Sequence, residues 1–118
     1  KLLGGLSQAI SDFYDDLREH DAADNVLMFV FTEFGRRVRD NGNGTDHGSG
    51  GVAFMIGDAV EGGHYSEYPS LNPEDLIEGD LAFNLDFRSL YTEILEDWLE
   101  IEAKPVTKGT YEKVGFLK

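Results

Sequence analysis

Leu6, Ile10, Phe13, Tyr14 and Leu17 recur at helical spacing, while Asp12, Asp15, Asp16, Arg18 and Glu19 fill the opposite side. This 3.6-residue period predicts an amphipathic helix from Ser7 to Glu19. His20 follows at its end, where an imidazole meets the negative pole of the helix. Past a polar connector, Val26 to Phe31 is an unbroken apolar run with the length and aromatic content of a strand buried on both faces. Val52 to Ile56, bounded by Gly51 and Gly57, is a second such run. The interval from Thr32 to Gly51 accommodates a crossover of about a dozen residues, which parallel strands require. Thr32 to Arg39 is expected to begin as the loop at the first strand's carboxyl end and to continue as a turn or short helix. The expected fold class is therefore α/β, a small, mostly parallel sheet flanked by helices, with any ligand at the carboxyl ends of its strands.

Gly62-Gly63, Pro69 and Pro73 punctuate a loop-rich stretch from Asp58 to Glu78. Leu81 to Leu85 reads as a short strand or an extended connector. A second helix is predicted from Phe87 to Leu99, with Leu90, Tyr91, Ile94, Leu95 and Trp98 on one face and Asp86 as its N-cap. Ala103 to Lys118 is broken by Pro105, Gly109 and Gly115, so it is expected to be a strap docked through Val114, Phe116 and Leu117. A chain of 118 residues with 41% hydrophobic content suits one compact unit, residues 1–118.

Charge narrows the partners. With 23 acidic against 10 basic residues the formal net charge is −13, which repels phosphate backbones and anionic lipid and argues against nucleic acid. Solubility or an acidic binding face both account for it. There is no cysteine, so disulfides and thiol nucleophiles are excluded and the compartment stays open. No apolar run approaches the roughly 18 residues of a membrane span.

Chemistry concentrates in Gly42 to Gly51, where Asp46 and His47 stand together among five glycines. Glycine accepts φ > 0 and lets backbone approach a ligand. Carboxylate oxygen with imidazole nitrogen suits zinc, manganese or iron. The alternative is a polar turn in which Asp46 caps local amides and His47 meets solvent.

Thr32-Glu33-Phe34-Gly35-Arg36, then Gly44-Thr45-Asp46-His47-Gly48, then Gly51 to Gly57 and Asn84 to Tyr91 form an ordered set of elements. Over residues from Val26 to Leu95 this set resembles the C-terminal part of the bacterial family called domain of unknown function 1501, which looks like a branch of the alkaline phosphatase and sulfatase superfamily. The resemblance implies the C-terminal portion of an alkaline phosphatase-like fold, with Asp46 and His47 as ligands to a divalent metal, zinc or manganese. It implies a phosphate or sulfate ester as substrate. It also implies an early metal-binding aspartate and a hydroxyl or thiol nucleophile upstream, and nothing from Lys1 to Asn25 resembles a strand ending in one. The chain is accordingly expected to be the C-terminal piece of a longer, metal-dependent hydrolase, inactive by itself, whose parent is exported to the periplasm. A non-catalytic binding or assembly module on the same scaffold is the alternative.

The remaining candidates each carry two readings. Glu33 is a metal ligand or base, or a carboxylate stabilised by amides at a helix start. Arg36 is a planar fork for a substrate phosphate or sulfate, while Arg37 and Arg39 serve equally as salt-bridge partners of the many acids. His64 is a further ligand or a loop histidine in solvent. Asp86 and Arg88 match an Asp-x-Arg element of the family pattern, which capping with an ion pair explains as well. Two inner strands in a short chain leave an edge or apolar face bare, so a homo-oligomer is expected.

Overall fold

A computed structural model describes residues 1–118. Helix α1 runs from Leu2 to Glu19, longer at its start than the spacing predicts because Leu2 and Leu3 continue the apolar stripe. His20 closes it, with Nδ1 2.8 Å from the Asp16 carbonyl oxygen. A single 3-10 turn, Ala23–Asn25, leads into strand β1, Met28–Val30.

The parallel α/β sheet expected from the sequence does not form. Two separate antiparallel pairs stand in its place: β2 (Gly35–Asp40) with β3 (Thr45–Gly48), and β1 with β4 (Phe54–Ile56). Residues 32–51 are a hairpin excursion and not a helical crossover. The chain therefore returns beside β1 in the opposite direction, pairing Met28 with Ile56 and Val30 with Phe54. Thr32 to Phe34 is correspondingly a loop feeding β2, and Gly35 to Arg39 belong to that strand, with no helix. Turn chemistry accounts for the difference. Gly42 (φ +94°) and Gly44 (φ +135°) take conformations that only glycine adopts at little cost. The Asp40 carboxylate accepts from the Gly42 amide and the Asn41 side chain from the Asn43 amide. Asn-Gly between two extended segments is a hairpin signal, and it overrides the crossover that the interval length allows.

The body is built around the second half of the chain. Asp86 caps α2 (Phe87–Glu93), its carboxylate accepting from the Arg88 amide at 2.9 Å. A five-residue π turn, Ile94–Trp98, extends the helix almost as far as the predicted Leu99. Leu81 to Leu85 is a connector without a strand. Phe87 and Tyr91 of α2 meet edge to face, centroids 5.3 Å apart, and Tyr91 meets Phe29 of β1 in the same way at 5.9 Å. Aromatic edges thus join the β1/β4 pair to α2.

The C-terminal segment is a docked strap, interrupted by the short helix α3 (Lys104–Thr107). Phe116 is the most buried apolar side chain, 1% exposed, and its ring meets Tyr65. Val60 and Leu117 form an antiparallel bridge beside it. Glu93, also 1% exposed, receives the amides of Val114, Gly115 and Leu117 at 2.8, 2.6 and 2.8 Å. One buried carboxylate so replaces a whole strand partner for this turn. Only ten residues are buried, and no helix is long and apolar enough to cross a membrane.

Candidate functional site

The two sequence elements that carry the candidate chemistry fold onto each other. Glu33 and Phe34 lie just before β2, and Asp46 and His47 lie in β3. The register sets Gly35 opposite Gly48 and Arg36 opposite His47. Both glycines are demanded by the approach of backbone. A Cβ on Gly35 would stand 1.6 Å from the Gly50 carbonyl oxygen, and one on Gly48 would stand 2.9 Å from the Arg36 carbonyl carbon. No side chain fits at either place.

His47 stacks on Phe34, ring centroids 3.6 Å apart and planes 16° from parallel. The Arg36 guanidinium sits on the same ring, 5.4 Å from its centroid, and donates through one terminal nitrogen to the Thr45 carbonyl at 2.8 Å. The exposed imidazole and guanidinium flank a half-buried benzene ring. The remaining guanidinium N–H donors face solvent, a chemistry that receives a tetrahedral oxyanion.

Asp46 is placed differently. Consecutive residues of an extended strand send their side chains to opposite faces, so Asp46 leaves β3 away from His47. Its carboxylate accepts from the Asn41 side chain at 2.7 Å. Glu33 is exposed on the loop ahead of β2, and His64 is exposed on the loop after β4. The structure gathers no three His, Asp or Glu side chains into a group that could hold a metal ion. With three or four protein ligands needed for zinc, these residues do not fit a complete zinc or manganese site by themselves.

Arg37 has a structural role. Its Nε donates to Asp80 at 2.9 Å and its terminal nitrogen donates to the Glu78 carbonyl, which fastens the hairpin to the loop ahead of α2. Sequence reasoning left Asp80 unremarked, and no local signal marks it. Asp86 and Arg88 likewise form a two-point ion pair, 2.9 and 2.6 Å, over the cap of α2. The hydrogen bonds from Arg88 hold the Asp86 carboxyl below its usual range. Two hollows lie elsewhere. One is edged by Arg18, Asp21, Asp24 and Asp58, the other by Thr92, Glu96, Lys104 and Tyr111.

An α-plus-β chain with an exposed hairpin that sets a Thr-Glu-Phe-Gly-Arg element against a Gly-Thr-Asp-His-Gly element is the class of protein these observations define. The family described as Protein of unknown function (DUF1501) matches residues 1–109, and the chain belongs to that family. No curated protein and no solved structure matches it.

Proposed function

We propose that the β2–β3 hairpin is one half of a site for a phosphate or sulfate ester, in the C-terminal part of a hydrolase of the alkaline phosphatase and sulfatase type. The observation that carries this reading is the cross-strand pairing of Arg36 with His47, which brings the two motifs to one surface. Arg36 would hold the oxygens of the ester. Asp46 and His47, with weaker contributions from Glu33 or His64, would supply some of the donors to a zinc or manganese ion. Asp46 and His47 leave opposite faces of β3, so further donors from outside these residues and a local change at β3 are both required. No catalytic step through a metal is assigned to the present residues, and the chain alone is a half-site without a nucleophile.

A non-catalytic anion-binding or assembly module is the second reading. It is favoured by the engagement of Asp46 with Asn41 and of His47 with Phe34, which leaves Arg36 as the group open to a ligand.

Titration of the isotopically labelled chain with manganous ion, followed by NMR, separates the two. The hydrolase half-site requires the signals of Asp46 and His47 to broaden first, and alanine at either position to abolish that broadening. Broadening confined to the acidic hollow at Asp21, Asp24 and Asp58 would overturn it. Shifts of the Arg36 side-chain N–H signals with inorganic sulfate, without a manganese effect on β3, would establish the anion-binding module.

A further inference from the structure

Two Asn-Gly pairs stand at the tip of the β2–β3 hairpin, Asn41-Gly42 and Asn43-Gly44, and all four residues are exposed. An asparagine followed by glycine is open to attack by its own backbone. Glycine carries no Cβ to shield the amide nitrogen, and it leaves the chain the conformational freedom that ring closure needs. Even a Cβ built on Gly42 or Gly44 would meet nothing within 4 Å, so no neighbouring group hems in either pair. Residue order gives the two pairs the same susceptibility. The folded tip separates them.

Asn41-Gly42 is held at both reacting groups. The Asn41 carboxamide donates to the Asp46 carboxylate at 2.7 Å and accepts from the Asn43 amide at 3.0 Å. The Gly42 amide, the nucleophile for this pair, donates to the Asp40 carboxylate at 2.6 Å. Bonds to ionised carboxylates are the stronger kind. Asn43-Gly44 has none of these restraints: its side-chain carboxamide and its Gly44 amide make no hydrogen bond within the protein. A backbone bond from the Asn41 amide to the Gly44 carbonyl, 2.8 Å, spans both pairs and does not distinguish them. The other asparagines are worse placed. Asn25 and Asn84 precede the bulky Val26 and Leu85, and Asn72 precedes Pro73, whose nitrogen has no proton to lose.

We propose that Asn43 is a site of spontaneous deamidation, and that the Asp40 and Asp46 carboxylates protect Asn41 from the same reaction. The Gly44 amide nitrogen loses its proton and attacks Cγ of Asn43. A bond forms between that nitrogen and Cγ, the bond from Cγ to Nδ2 breaks, and the side-chain nitrogen leaves as ammonia. Water then opens the cyclic imide. Cleavage of the new bond to Cγ leaves an aspartate at this position, and cleavage of the older bond to the main-chain carbonyl carbon leaves an isoaspartate. Water is consumed and ammonia released, with no oxidant or reductant. Either product adds a negative charge beside Asp40 and Asp46, in a chain already at −13. The isoaspartate also routes the main chain through the side chain, directly before the Asp40–Thr45 pair, so the turn bond between residues 41 and 44 is lost. The proposal is independent of what the hairpin binds.

Incubation of the chain in heavy-oxygen water, at neutral and at mildly alkaline pH, followed by mass-spectrometric sequencing of the hairpin peptide, measures both rates. Deamidation with uptake of heavy oxygen should accumulate at Asn43, faster at the higher pH. An ordinary hydrogen bond holds a group back by roughly two- to twelvefold. At least two must open at Asn41, so Asn43 should react about tenfold faster or more. In denaturant the two pairs should react at similar rates. Asp40→Ala frees the Gly42 amide and Asp46→Ala frees the Asn41 carboxamide, so each should quicken the reaction at Asn41 in the folded chain. Asn43→Gln should remove the early product, because glutamine must close a larger ring. Equal rates at Asn41 and Asn43 in the folded chain, a difference that persists in denaturant, or an Asn41 rate that neither aspartate variant raises would each overturn the proposal.

Discussion

The imidazole of His47 lies flat on the ring of Phe34, 3.6 Å between centroids, and so one motif of the hairpin orients the other. The stack fixes the imidazole plane without burying it. An aromatic pair contributes about 0.5–1.5 kcal/mol beyond its area, and exposure puts this one at the lower end. Phe34→Ala should therefore leave the hairpin folded while freeing His47. The check is the ring-current shift of the His47 carbon-bound protons, large and upfield in the native chain and lost in the variant. An unchanged shift would mean that the rings are not stacked in solution.

Gly35 and Gly48 face each other across the hairpin, and each lies against backbone where a Cβ would stand. Backbone moves less readily than a flexible side chain, so Gly35→Ala should cost at least the roughly 1–3 kcal/mol typical of overpacking. Gly42→Ala is a useful contrast, since its Cβ would meet nothing and the penalty comes from φ +94° alone. Chemical denaturation should rank Gly35→Ala as more damaging than Gly42→Ala, which strains one residue by roughly 1–2 kcal/mol.

These two sites also show what was legible from residue order. The apolar runs at Val26 to Phe31 and Val52 to Ile56 do mark the paired strands β1 and β4. Their direction was hidden, because an interval's length cannot distinguish a helical crossover from a hairpin. Asn41-Gly42-Asn43-Gly44 holds that information as turn chemistry, and neither the ligand-loop nor the polar-turn reading of the stretch extends to a hairpin. Asp86 as an N-cap, Phe116 as a docked residue and Arg37 in a salt bridge were all accessible from local pattern. Glu93 was not. A carboxylate among Leu90, Thr92 and Ile94 on a helix carries no mark that three amides more than twenty positions away will surround it.

Glu93 makes a direct prediction. Its two oxygens accept all three strap amides from a position 1% exposed. A buried donor left unpaired costs about 1–3 kcal/mol, so Glu93→Ala, which strands three, should destabilise the chain by several kcal/mol or release the strap altogether. Glu93→Gln keeps the shape but turns one acceptor into a donor, and should lie between. Hydrogen exchange at Val114, Gly115 and Leu117 reports the effect residue by residue. Unaltered protection of those amides in Glu93→Ala would show that Phe116 and the Val60–Leu117 bridge hold the strap by themselves.

On the proposed reading the hairpin holds only part of a metal site. Chain that offers fewer than three gathered donors cannot hold a transition metal against a chelator. Elemental analysis after brief chelation should find well under one zinc or manganese per chain. Aryl phosphate and aryl sulfate should not turn over above background, because positioning and polarisation act only together. Turnover that Asp46→Ala abolishes would show the site to be complete within these residues.

Asp86 contributes to the acid limb of stability. Hydrogen bonds from the Arg88 side chain hold its folded pKa below the ordinary 3.8; burial opposes them, and the Arg88 amide and charge add smaller lowering effects. A carboxyl depressed on folding contributes stability that is fully present above its unfolded pKa and is lost as pH falls through the folded value. The contribution is thus complete at neutral pH, begins to fall as the pH drops through the unfolded value near 4, and is gone only below the lower folded value. Asp86→Asn keeps a capping side chain but removes the charge, so its melting temperature should fall below that of the native chain at pH 7, and the gap should narrow as the pH falls below about 4. Asp86→Ala loses the cap as well, worth about 1 kcal/mol, and should remain less stable throughout. A constant gap between Asp86→Asn and the native chain from pH 7 to pH 3 would show that the Arg88 pairing adds nothing to folding.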